Sequence, residues 1–407
     1  MARIVFIGDD FTGASDTLAT LSERGARARL FLDMPKAEET ADLDAVGIAT
    51  DLRARSPEDI ATRLGAMAPA LRTLSPRFVH YKICSTFDSA PQTGSIGAAV
   101  KTLEATLAPS RTIVVGGQPS LGRYCLFGTL FARAPDDEVY RIDRHPIMSH
   151  HPVTPMDEAD LRIHLARQGL EGLSLTGRKT LDRALKTDRT LVDAIERQDI
   201  DRLGRRLMEI DDQEEPMLLV GASSVAEALF PAEPSIEPRT IPARWERGPV
   251  LAVAGSRSSA TANQIAAAGS YERLALQRED LGHPEELASR CAGRIEAGAN
   301  VMINLRPDLD YGTTPIALSD WMARLTGSIL NQCHVAGIAV AGGDTSSALV
   351  KQLGFRSLSF IERAGPGVAI CRGHAGGTPL DGTVLLLKGG QVGATDLFEQ
   401  FAARFPR

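Results

Sequence analysis

Residues 338–347, with the sequence IAVAGGDTSS, pass from an apolar run directly into a loop of glycines, hydroxyl side chains and one acid. The run Ile338–Val340 has the composition of a buried β-strand, and Ala348, Leu349 and Leu353 behind the loop recur at helical spacing. The stretch therefore predicts a strand, a tight turn and a helix that begins at the loop. In open α/β sheets, ligands bind outside the carboxyl ends of the strands, where such a loop lies.

The same change from apolar run to small-residue loop occurs at three other places in the chain: 115–118 (VGGQ), 220–224 (VGASS) and 253–256 (VAGS). Continuous apolar runs separated by helical stretches are typical of parallel sheets whose two faces are covered. Further strand candidates are Ile4–Ile7, Phe78–Ile83, Thr112–Val115, Met217–Val220, Val250–Val253 and Val301–Leu305. We therefore predict an α/β protein with two domains, each a largely parallel sheet flanked by helices. Since every α/β protein needs tight turns, no single loop establishes a ligand site.

The length of 407 residues is typical of two domains rather than one. Residues 231–249 contain five prolines in nineteen positions, which disfavours both a helix and a central strand. We predict a first domain over 1–230, a proline-rich linker over 231–249 and a second domain over 250–407.

Composition excludes several classes of protein. The chain has 45 Lys and Arg against 51 Asp and Glu, a net charge of −6, which argues against a general nucleic-acid binder. Its five scattered cysteines form no C-x-x-C pair, so neither a zinc ribbon nor a disulfide framework is indicated. No apolar run reaches the length of a membrane helix, and the start is too soon acidic for a signal peptide. We expect a cytoplasmic protein with neither a membrane nor a nucleic acid as partner.

Four glycine loops in the second half indicate a site for nucleotide phosphate. They are 255–261, 342–347, 364–367 and 387–393, and none has the Walker pattern of a P-loop. Gly342, Gly343 and Thr345 are expected at a helix amino terminus, where free N–H groups favour phosphate. Asp344 is open to three interpretations: a helix N-cap, a magnesium contact, or a base that takes the proton of a substrate hydroxyl.

The first half carries acids and cations at its predicted strand ends. Asp9, Asp10, Thr12 and Gly13 follow the first strand, and acids with hydroxyls suit a polyol or sugar, although a helix cap explains them as well. Lys82 ends the strand Phe78–Ile83 and could neutralise a carboxylate or a transferring phosphoryl group. Ser85, Thr86 and Asp88 follow Lys82, and Arg123 lies in another strand-end loop, where arginine can bind a carboxylate bidentately.

With these motifs in order, the chain resembles the four-carbon acid sugar kinase family over essentially its whole length. The motifs that carry the resemblance are 9–14 (DDFTGA), 81–86 (YKICST), Gly122-Arg123 with Gly128, 154–156 (TPM), Gly255-Ser256, 342–345 (GGDT), 365–367 (GPG) and 388–390 (KGG). Each motif is short, and their order and spacing are what is specific.

The resemblance implies an ATP-dependent kinase of threonate, erythronate or 3-oxo-tetronate, with Mg²⁺ stabilising the transferring charge. The first domain would bind the sugar acid and the second the nucleotide, with the active site in the cleft between them. The nucleotide contacts implied by the family motifs are Ser256, Gly365, Pro366, Gly367 and Gly390. Ribokinase-like enzymes use a comparable Gly-x-Gly-Asp arrangement, which supports Asp344 as the catalytic base by analogy.

Two departures from the family pattern leave a second substrate open, a branched or oxo five-carbon sugar acid. Phe87-Asp88-Ser89 stands where many relatives have Leu-Arg-Gly, and His151 stands where an aspartate is common. Two functions other than a kinase also stay open: an enzyme with a nucleotide-type cofactor, and a non-catalytic sensor of a sugar acid and a nucleotide. A homodimer is the base-rate expectation for a soluble enzyme.

Overall fold

The computed structural model describes residues 4–177, 180–181, 188–210, 215–231 and 245–406. The chain divides into two compact units, Met1–Arg239 and Thr240–Arg407. Most of the proline-rich segment predicted as a linker, residues 232–244, lies outside the described residues.

The first unit is built on parallel strands that alternate with helices. Its strands are β1 (Ile4–Gly8), β2 (Ala28–Phe31), β3 (Ala45–Ala49), β4 (Phe78–Lys82), β5 (Arg111–Val115), β6 (Arg123–Leu126), β7 (Thr129–Arg133), β8 (Val139–Arg141), β9 (Ser174–Thr176), β10 (Arg189–Val192) and β11 (Met217–Gly221). Its helices are α1 (Phe11–Glu23), α2 (Pro57–Thr73), α3 (Ile96–Leu107), α4 (Leu161–Ala166), α5 (Arg197–Glu209) and α6 (Ser224–Leu229).

The main sheet of the first unit has the strand order β2-β3-β1-β4-β11-β5-β10-β9, and every pairing in it is parallel. All five residues of β1, β4 and β11 are buried, as expected for central strands covered on both faces. The apolar runs that predicted these strands are confirmed. Because the strands are parallel, the loops after β1, β3, β4, β11 and β5 all leave from one edge of the sheet.

Helix boundaries follow local chemistry. Asp10 caps α1, with its side chain accepting a hydrogen bond from the Gly13 amide, and Ser56 caps α2 in the same way ahead of Pro57. The antiparallel sheet β6-β7-β8 was not predicted, since its strands are only three to five residues long. The β6–β7 hairpin turns at Phe127 and Gly128, both with positive φ.

The second unit is another α/β layer structure. Its strands are β12 (Val250–Ala254), β13 (Tyr271–Ala275), β14 (Asn300–Asn304), β15 (Gly337–Ala341), β16 (Ser357–Gly365), β17 (Val368–His374) and β18 (Val384–Lys388). Its helices are α7 (Ser259–Ala267), α8 (Pro284–Glu296), α9 (Pro315–Leu330), α10 (Gly343–Gln352) and α11 (Leu397–Ala402).

The strand order in this unit is β13-β14-β12-β15-β18-β17-β16. Pairings from β13 to β18 are parallel, and β17 is antiparallel to both β18 and β16. The carboxyl ends of β12, β15 and β18 therefore meet at one edge, where the predicted glycine loops begin. Within the described part of the chain, no helix has the length and apolar character needed to cross a membrane.

Candidate active site

The carboxyl edge of the first sheet brings together two acids and two cations. Asp9 and Asp10 follow β1, Arg53 lies in the segment after β3, and Lys82 is the last residue of β4. The backbone fixes this arrangement, because the Asp9 amide donates to the Lys82 carbonyl at 2.9 Å and the Arg53 amide donates to the Asp9 carbonyl at 2.9 Å.

Arg53 binds both acids at once. Its Nε and Nη2 donate to the two oxygens of Asp9 at 3.0 and 2.7 Å, and its Nη1 and Nη2 donate to the two oxygens of Asp10, each at 2.9 Å. Bidentate pairs of this kind are the strongest ionic hydrogen bonds in proteins. The two predicted acids therefore do not stand alone as hydrogen-bond acceptors, since both are paired with the same guanidinium.

The two acids differ in exposure. The Asp9 side chain is 3% exposed, whereas those of Asp10 and Arg53 are each about a quarter exposed, at 26% and 25%. Burial raises the pKa of Asp9, opposed by the Arg53 charge. The pKa of Arg53 lies well above its ordinary value, because the attraction of Asp10 and Asp9 outweighs burial, the largest opposing influence. Asp9 thus binds Arg53 from the buried side of the group, and Asp10 and Arg53 are partly accessible to solvent.

Lys82 approaches the start of α1 closely, so a side chain at position 13 would require Asp10 or Lys82 to move. A Cβ on Gly13 would lie 2.5 Å from Asp10 Oδ1 and 2.8 Å from Lys82 Nζ. Lys82 is buried and its Nζ donates to the Ile83 carbonyl at 2.7 Å. Gly13, Asp10 and Lys82 therefore form one contact group.

The segment after β4 carries the other predicted substrate residues. Thr86 Oγ1 donates to Asp88 Oδ1 at 2.6 Å and lies 2.9 Å from Cys84 Sγ. Burial and then Asp88 raise the pKa of Cys84, while the Arg53 charge opposes them. Ser85 is half-buried between these residues and Lys82.

A buried polar network fixes the far end of the same segment. Ser89 Oγ lies 2.9 Å from His164 Nε2 of α4, and Gln168 Nε2 donates to Ser89 Oγ at 2.8 Å. Burial lowers the pKa of His164, so the ring is neutral at physiological pH. The position of Thr86 and Asp88 is thus tied to α4.

Arg123 begins β6, beyond the loop that follows β5. Its Nη1 donates to the Leu121 carbonyl, and its amide donates to the Gln118 carbonyl at 3.2 Å. Its Nε is buried without a hydrogen-bond partner in the described structure. Arg123 therefore forms hydrogen bonds within its own loop. This loop follows β5, which is separated from β4 by β11, so it leaves the sheet edge two strand spacings, or ~10 Å, from Lys82.

In the second unit, the loops after β12, β15 and β18 converge. The Gly255 and Ser256 amides donate to the Ala341 carbonyl at 2.9 and 3.0 Å, and the Gly342 amide donates to the Lys388 carbonyl at 3.0 Å. A Cβ on Gly390 would lie 2.5 Å from Ser256 Oγ, so a side chain there would displace the Ser256 hydroxyl. Three of the residue groups predicted to bind nucleotide are thereby neighbours.

The remaining predicted nucleotide residues border this group. Thr345 Oγ1 lies against the backbone of Gly255. Gly365, Pro366 and Gly367 form the turn between β16 and β17, where the Gly367 backbone packs on Val392 from the loop after β18.

Asp344 lies in the first turn of α10, one residue after Gly343, and it is not the N-cap. The helix is capped by Gly342, whose φ of 125° is accessible to glycine and strained for other residues. The N-cap interpretation of Asp344 is therefore wrong. A carboxylate in the first turn is stabilised by the helix dipole. The metal and base interpretations of Asp344 stay predictions.

Two site residues were missed from the sequence. Arg53 follows a short strand and an Asp-Leu pair, and nothing local marks it as a partner of Asp9. Lys388 ends the apolar strand β18 just as Lys82 ends β4. This shared position of a lysine at the end of a buried strand could have identified Lys388 from the sequence. Lys388 Nζ donates to Thr261 Oγ1 at 2.9 Å and to the Gly390 carbonyl at 3.3 Å.

Two family models divide the chain between them. The one described as sugar-binding N-terminal domain matches residues 4–229, and the one described as nucleotide-binding C-terminal domain matches residues 251–398. These ranges place the Asp9–Lys82 group in the sugar-binding match and the Ser256–Gly390 group in the nucleotide-binding match.

Curated relatives match nearly the whole chain. A 3-oxo-isoapionate kinase from Paraburkholderia graminis is 31% identical over 97% of this chain and 93% of its own length. A 3-oxo-tetronate kinase from Cupriavidus necator is 30% identical over 97% of this chain and 95% of its own length. A 3-oxo-tetronate kinase from Pseudomonas savastanoi is 30% identical over 96% of this chain and 95% of its own length.

Solved structures share the fold. A Salmonella typhimurium LT2 protein superposes with a TM-score of 0.81 at 22% identity, covering 100% of both chains. A Haemophilus influenzae protein superposes with a TM-score of 0.76 at 23% identity, covering 97% of this chain and 98% of its own.

Proposed function

This chain belongs to the four-carbon acid sugar kinase family, and from that premise we propose that it transfers the γ-phosphoryl group of ATP to a terminal hydroxyl of a short 3-oxo sugar acid. The observation that carries the proposal is that relatives over 97% of the chain are kinases of 3-oxo-tetronate and of 3-oxo-isoapionate. Kinase relatives of this coverage favour a phosphotransferase with an alcohol acceptor over a sensor or a different cofactor enzyme.

The sugar acid is proposed to bind at the Asp9–Lys82 group. The Lys82 ammonium suits the substrate carboxylate, since charge-assisted bonds to carboxylates are the stronger kind. Asp10 and Arg53, which are partly exposed, supply an acceptor and a donor to substrate hydroxyls, and Ser85 and Thr86 add hydroxyls of their own. Asp9 acts through Arg53, because its side chain is buried and both of its oxygens are bound by that guanidinium, whereas Asp10 is partly exposed.

The position of Asp88 bears on the choice of acid. Asp88 stands where many relatives have an arginine that suits a substrate carboxylate, and its Oδ1 accepts a bond from Thr86. An aspartate at this position repels a carboxylate. The cations proposed to bind the substrate carboxylate are therefore Lys82 and Arg53. The four-carbon 3-oxo-tetronate and the branched 3-oxo-isoapionate are both consistent with this arrangement.

The nucleotide is proposed to bind at the Ser256–Gly390 group. Ser256, the α10 start at Gly342, Gly343 and Thr345, the turn Gly365–Gly367, and Gly390 offer amides and hydroxyls to the phosphates. Amides held in place before the reaction stabilise the charge that develops on the transferring group. A domain boundary within residues 231–249 and an active site in a cleft between the domains stay predictions.

Asp344 is proposed as the base. The substrate hydroxyl oxygen attacks the γ-phosphorus, its proton passes to the Asp344 carboxylate, and the bond from phosphorus to the β,γ-bridging oxygen breaks to release ADP. The amides of the α10 start bind the phosphoryl oxygens beside this carboxylate.

Mg²⁺ fits this site as a companion of the nucleotide. The described residues contain no group of three or more His, Cys, Asp or Glu side chains that could hold a metal. Mg²⁺ in kinases usually keeps several waters and takes one or two carboxylates plus substrate phosphates. A role of Asp344 as a ligand of Mg²⁺ is the alternative to its role as the base, and in either case the ion would neutralise phosphate charge at this site.

The test is an ADP-release assay with ATP, Mg²⁺ and a panel of four- and five-carbon sugar acids. We expect turnover with 3-oxo-tetronate or 3-oxo-isoapionate that exceeds turnover with threonate and erythronate at least tenfold. Equal, background-level ADP release with every acid would refute the proposal. Since ATP is a cytoplasmic substrate, we place the reaction in the cytoplasm. A homodimer stays a prediction, to be checked by the mass of the protein in solution.

A further inference from the structure

Lys388 is a buried cation in the second unit. The residue is 1% exposed and ends β18, between the parallel strand β15 and the antiparallel strand β17. Two of its three N–H donors are used, by Thr261 Oγ1 and by the Gly390 carbonyl. In the described structure the third has no protein partner.

No opposite charge accompanies this ammonium. Among the described residues, no carboxylate forms an ion pair with Lys388, and burial lowers its pKa to about 8. Burying a charge without a counter-charge is costly, so such an arrangement persists where a ligand supplies the counter-charge.

The elements packed around Lys388 carry few charges. Helix α7, which contributes Thr261, and strand β15 have no ionisable residue. The charged residues of α10 are Asp344 in its first turn and Lys351 in its last turn. On β17, Arg372 and His374 lie at the end remote from Lys388, which pairs with Val368.

The neutral groups around Lys388 favour an anion. Ser258 caps α7, so the helix amino terminus with its positive dipole points to this place. Ser258 Oγ and Thr261 Oγ1 also donate to the Gly390 carbonyl, at 2.5 and 2.8 Å. These bonds fix the Gly390 loop and Lys388 as one unit.

We propose that the Lys388 ammonium is the buried cation that binds a phosphate group of the nucleotide, positioned for it by Thr261 and Gly390. The proposal rests on the proposed function for the identity of the anion, a nucleoside di- or triphosphate. It adds a residue to the site and predicts a pH dependence for nucleotide binding.

The sign of that dependence follows from linkage. A phosphate beside the ammonium favours its charged form, so the pKa of Lys388 is higher in the complex than the value of about 8 in the free protein. Nucleotide affinity is therefore full below pH 8 and falls as the pH rises above 8. The second ionisation of phosphate groups, near pH 6, is complete in this range and adds no slope.

The experiment is titration calorimetry of the full chain with ADP and Mg²⁺ at pH 7.5 and pH 9.5. For the wild type we expect the dissociation constant to rise at least threefold between the two values. Lys388→Met should weaken binding at pH 7.5 at least tenfold and abolish the pH dependence. Lys351→Met, an exposed lysine of α10, is the control and should match the wild type.

Lys388→Arg provides a second test of the proposal in case Lys388→Met does not fold. It retains the charge but does not titrate, so it should bind better than Lys388→Met and show a flat profile from pH 7.5 to 9.5. Binding by Lys388→Met within twofold of wild type, with the same slope, would overturn the inference while leaving the kinase proposal intact. A wild type that binds no ADP at pH 7.5 would overturn both.

Discussion

The Arg53 guanidinium donates to both carboxylate oxygens of Asp9, at 3.0 and 2.7 Å, although the two residues are 44 positions apart. Two further N–H groups of Arg53 donate to Asp10, so one side chain binds two acids that follow the same strand. With Lys82 nearby, the group has two positive and two negative charges, and a carboxylate substrate meets no excess of negative charge.

Removing Arg53 should damage both stability and sugar-acid use. Arg53→Ala leaves Asp9 buried without its partner, which we expect to cost about 2–4 kcal/mol, discounted for the partial exposure of the pair. The kcat/KM for the sugar acid should fall at least a hundredfold, with ADP affinity unchanged. Urea unfolding and steady-state kinetics measure the two effects. Arg63→Ala is the matched control, because Arg63 pairs with Asp51 at an exposed site. Equal effects of the two variants would contradict this account.

Lys82 should act on the sugar acid and not on the nucleotide. Losing a charge-assisted bond costs about 1.5–3 kcal/mol, or about ten- to a hundredfold in kcat/KM. We expect this loss in Lys82→Met, with Lys101→Met, an exposed lysine of α3, as control. Arg123→Ala should weaken sugar-acid use by less than Lys82→Met, because Arg123 forms hydrogen bonds within its own loop. A raised KM for ATP with normal sugar-acid kinetics would refute the Lys82 assignment.

Asp344→Asn tests the base. The amide keeps the shape of the carboxylate but not its basicity, so kcat should fall about 10²–10⁴-fold with normal folding and ADP affinity. Asp320→Asn, on the exposed side of α9, should be unchanged. Turnover within a few fold of wild type would exclude the base role and direct attention to Asp10, to Asp88 and to Asp16 of α1, whose Oδ2 accepts a hydrogen bond from Ser223 Oγ at 2.6 Å. Loss of Mg²⁺-dependent ADP binding would instead assign Asp344 to the metal.

His80 should make the protein acid-sensitive. Its ring lies buried in β4, its Nε2 donates to the Gly221 carbonyl at 3.0 Å, and burial lowers its pKa to about 3. Since the unfolded state binds a proton below about pH 6.5 and the folded state does not, stability falls as the pH drops from 6.5 toward 3. The slope from one such group is about 1.4 kcal/mol per pH unit. Urea unfolding from pH 7 to pH 4.5 should show a pH dependence of stability that is steeper in the wild type than in His80→Gln by up to about this amount, since other groups such as His164 contribute equally to both proteins. An exposed-site variant, His150→Gln, should keep the wild-type pH dependence.

The fold was predictable where the sequence pattern is local. The run Val250–Val253 is apolar throughout and Phe78–Ile83 is apolar except for His80 and Lys82, because both faces of each strand are buried, and the structure contains these runs as β12 and β4. The hairpin of β6 and β7 escaped prediction, since strands this short leave little alternation to read.

The site was predictable residue by residue but not as a network. Asp9, Asp10 and Lys82 stand at strand ends and could be selected there, whereas Arg53 is joined to them only by the order β3-β1-β4 in the sheet. The role of Asp344 as N-cap was wrong because Gly342, with its positive φ, already ends the turn. Such long-range pairings depend on strand order, which single-sequence patterns do not contain.

The most direct test of the central claim is product analysis by mass spectrometry after the full chain is incubated with ATP, Mg²⁺ and 3-oxo-tetronate or 3-oxo-isoapionate. We predict one equivalent of ADP for each equivalent of an acid that has gained a single phosphoryl group, with Asp344→Asn producing at most a hundredth as much in the same time. ADP formed with no phosphorylated acid, or no ADP with either acid, would contradict the account.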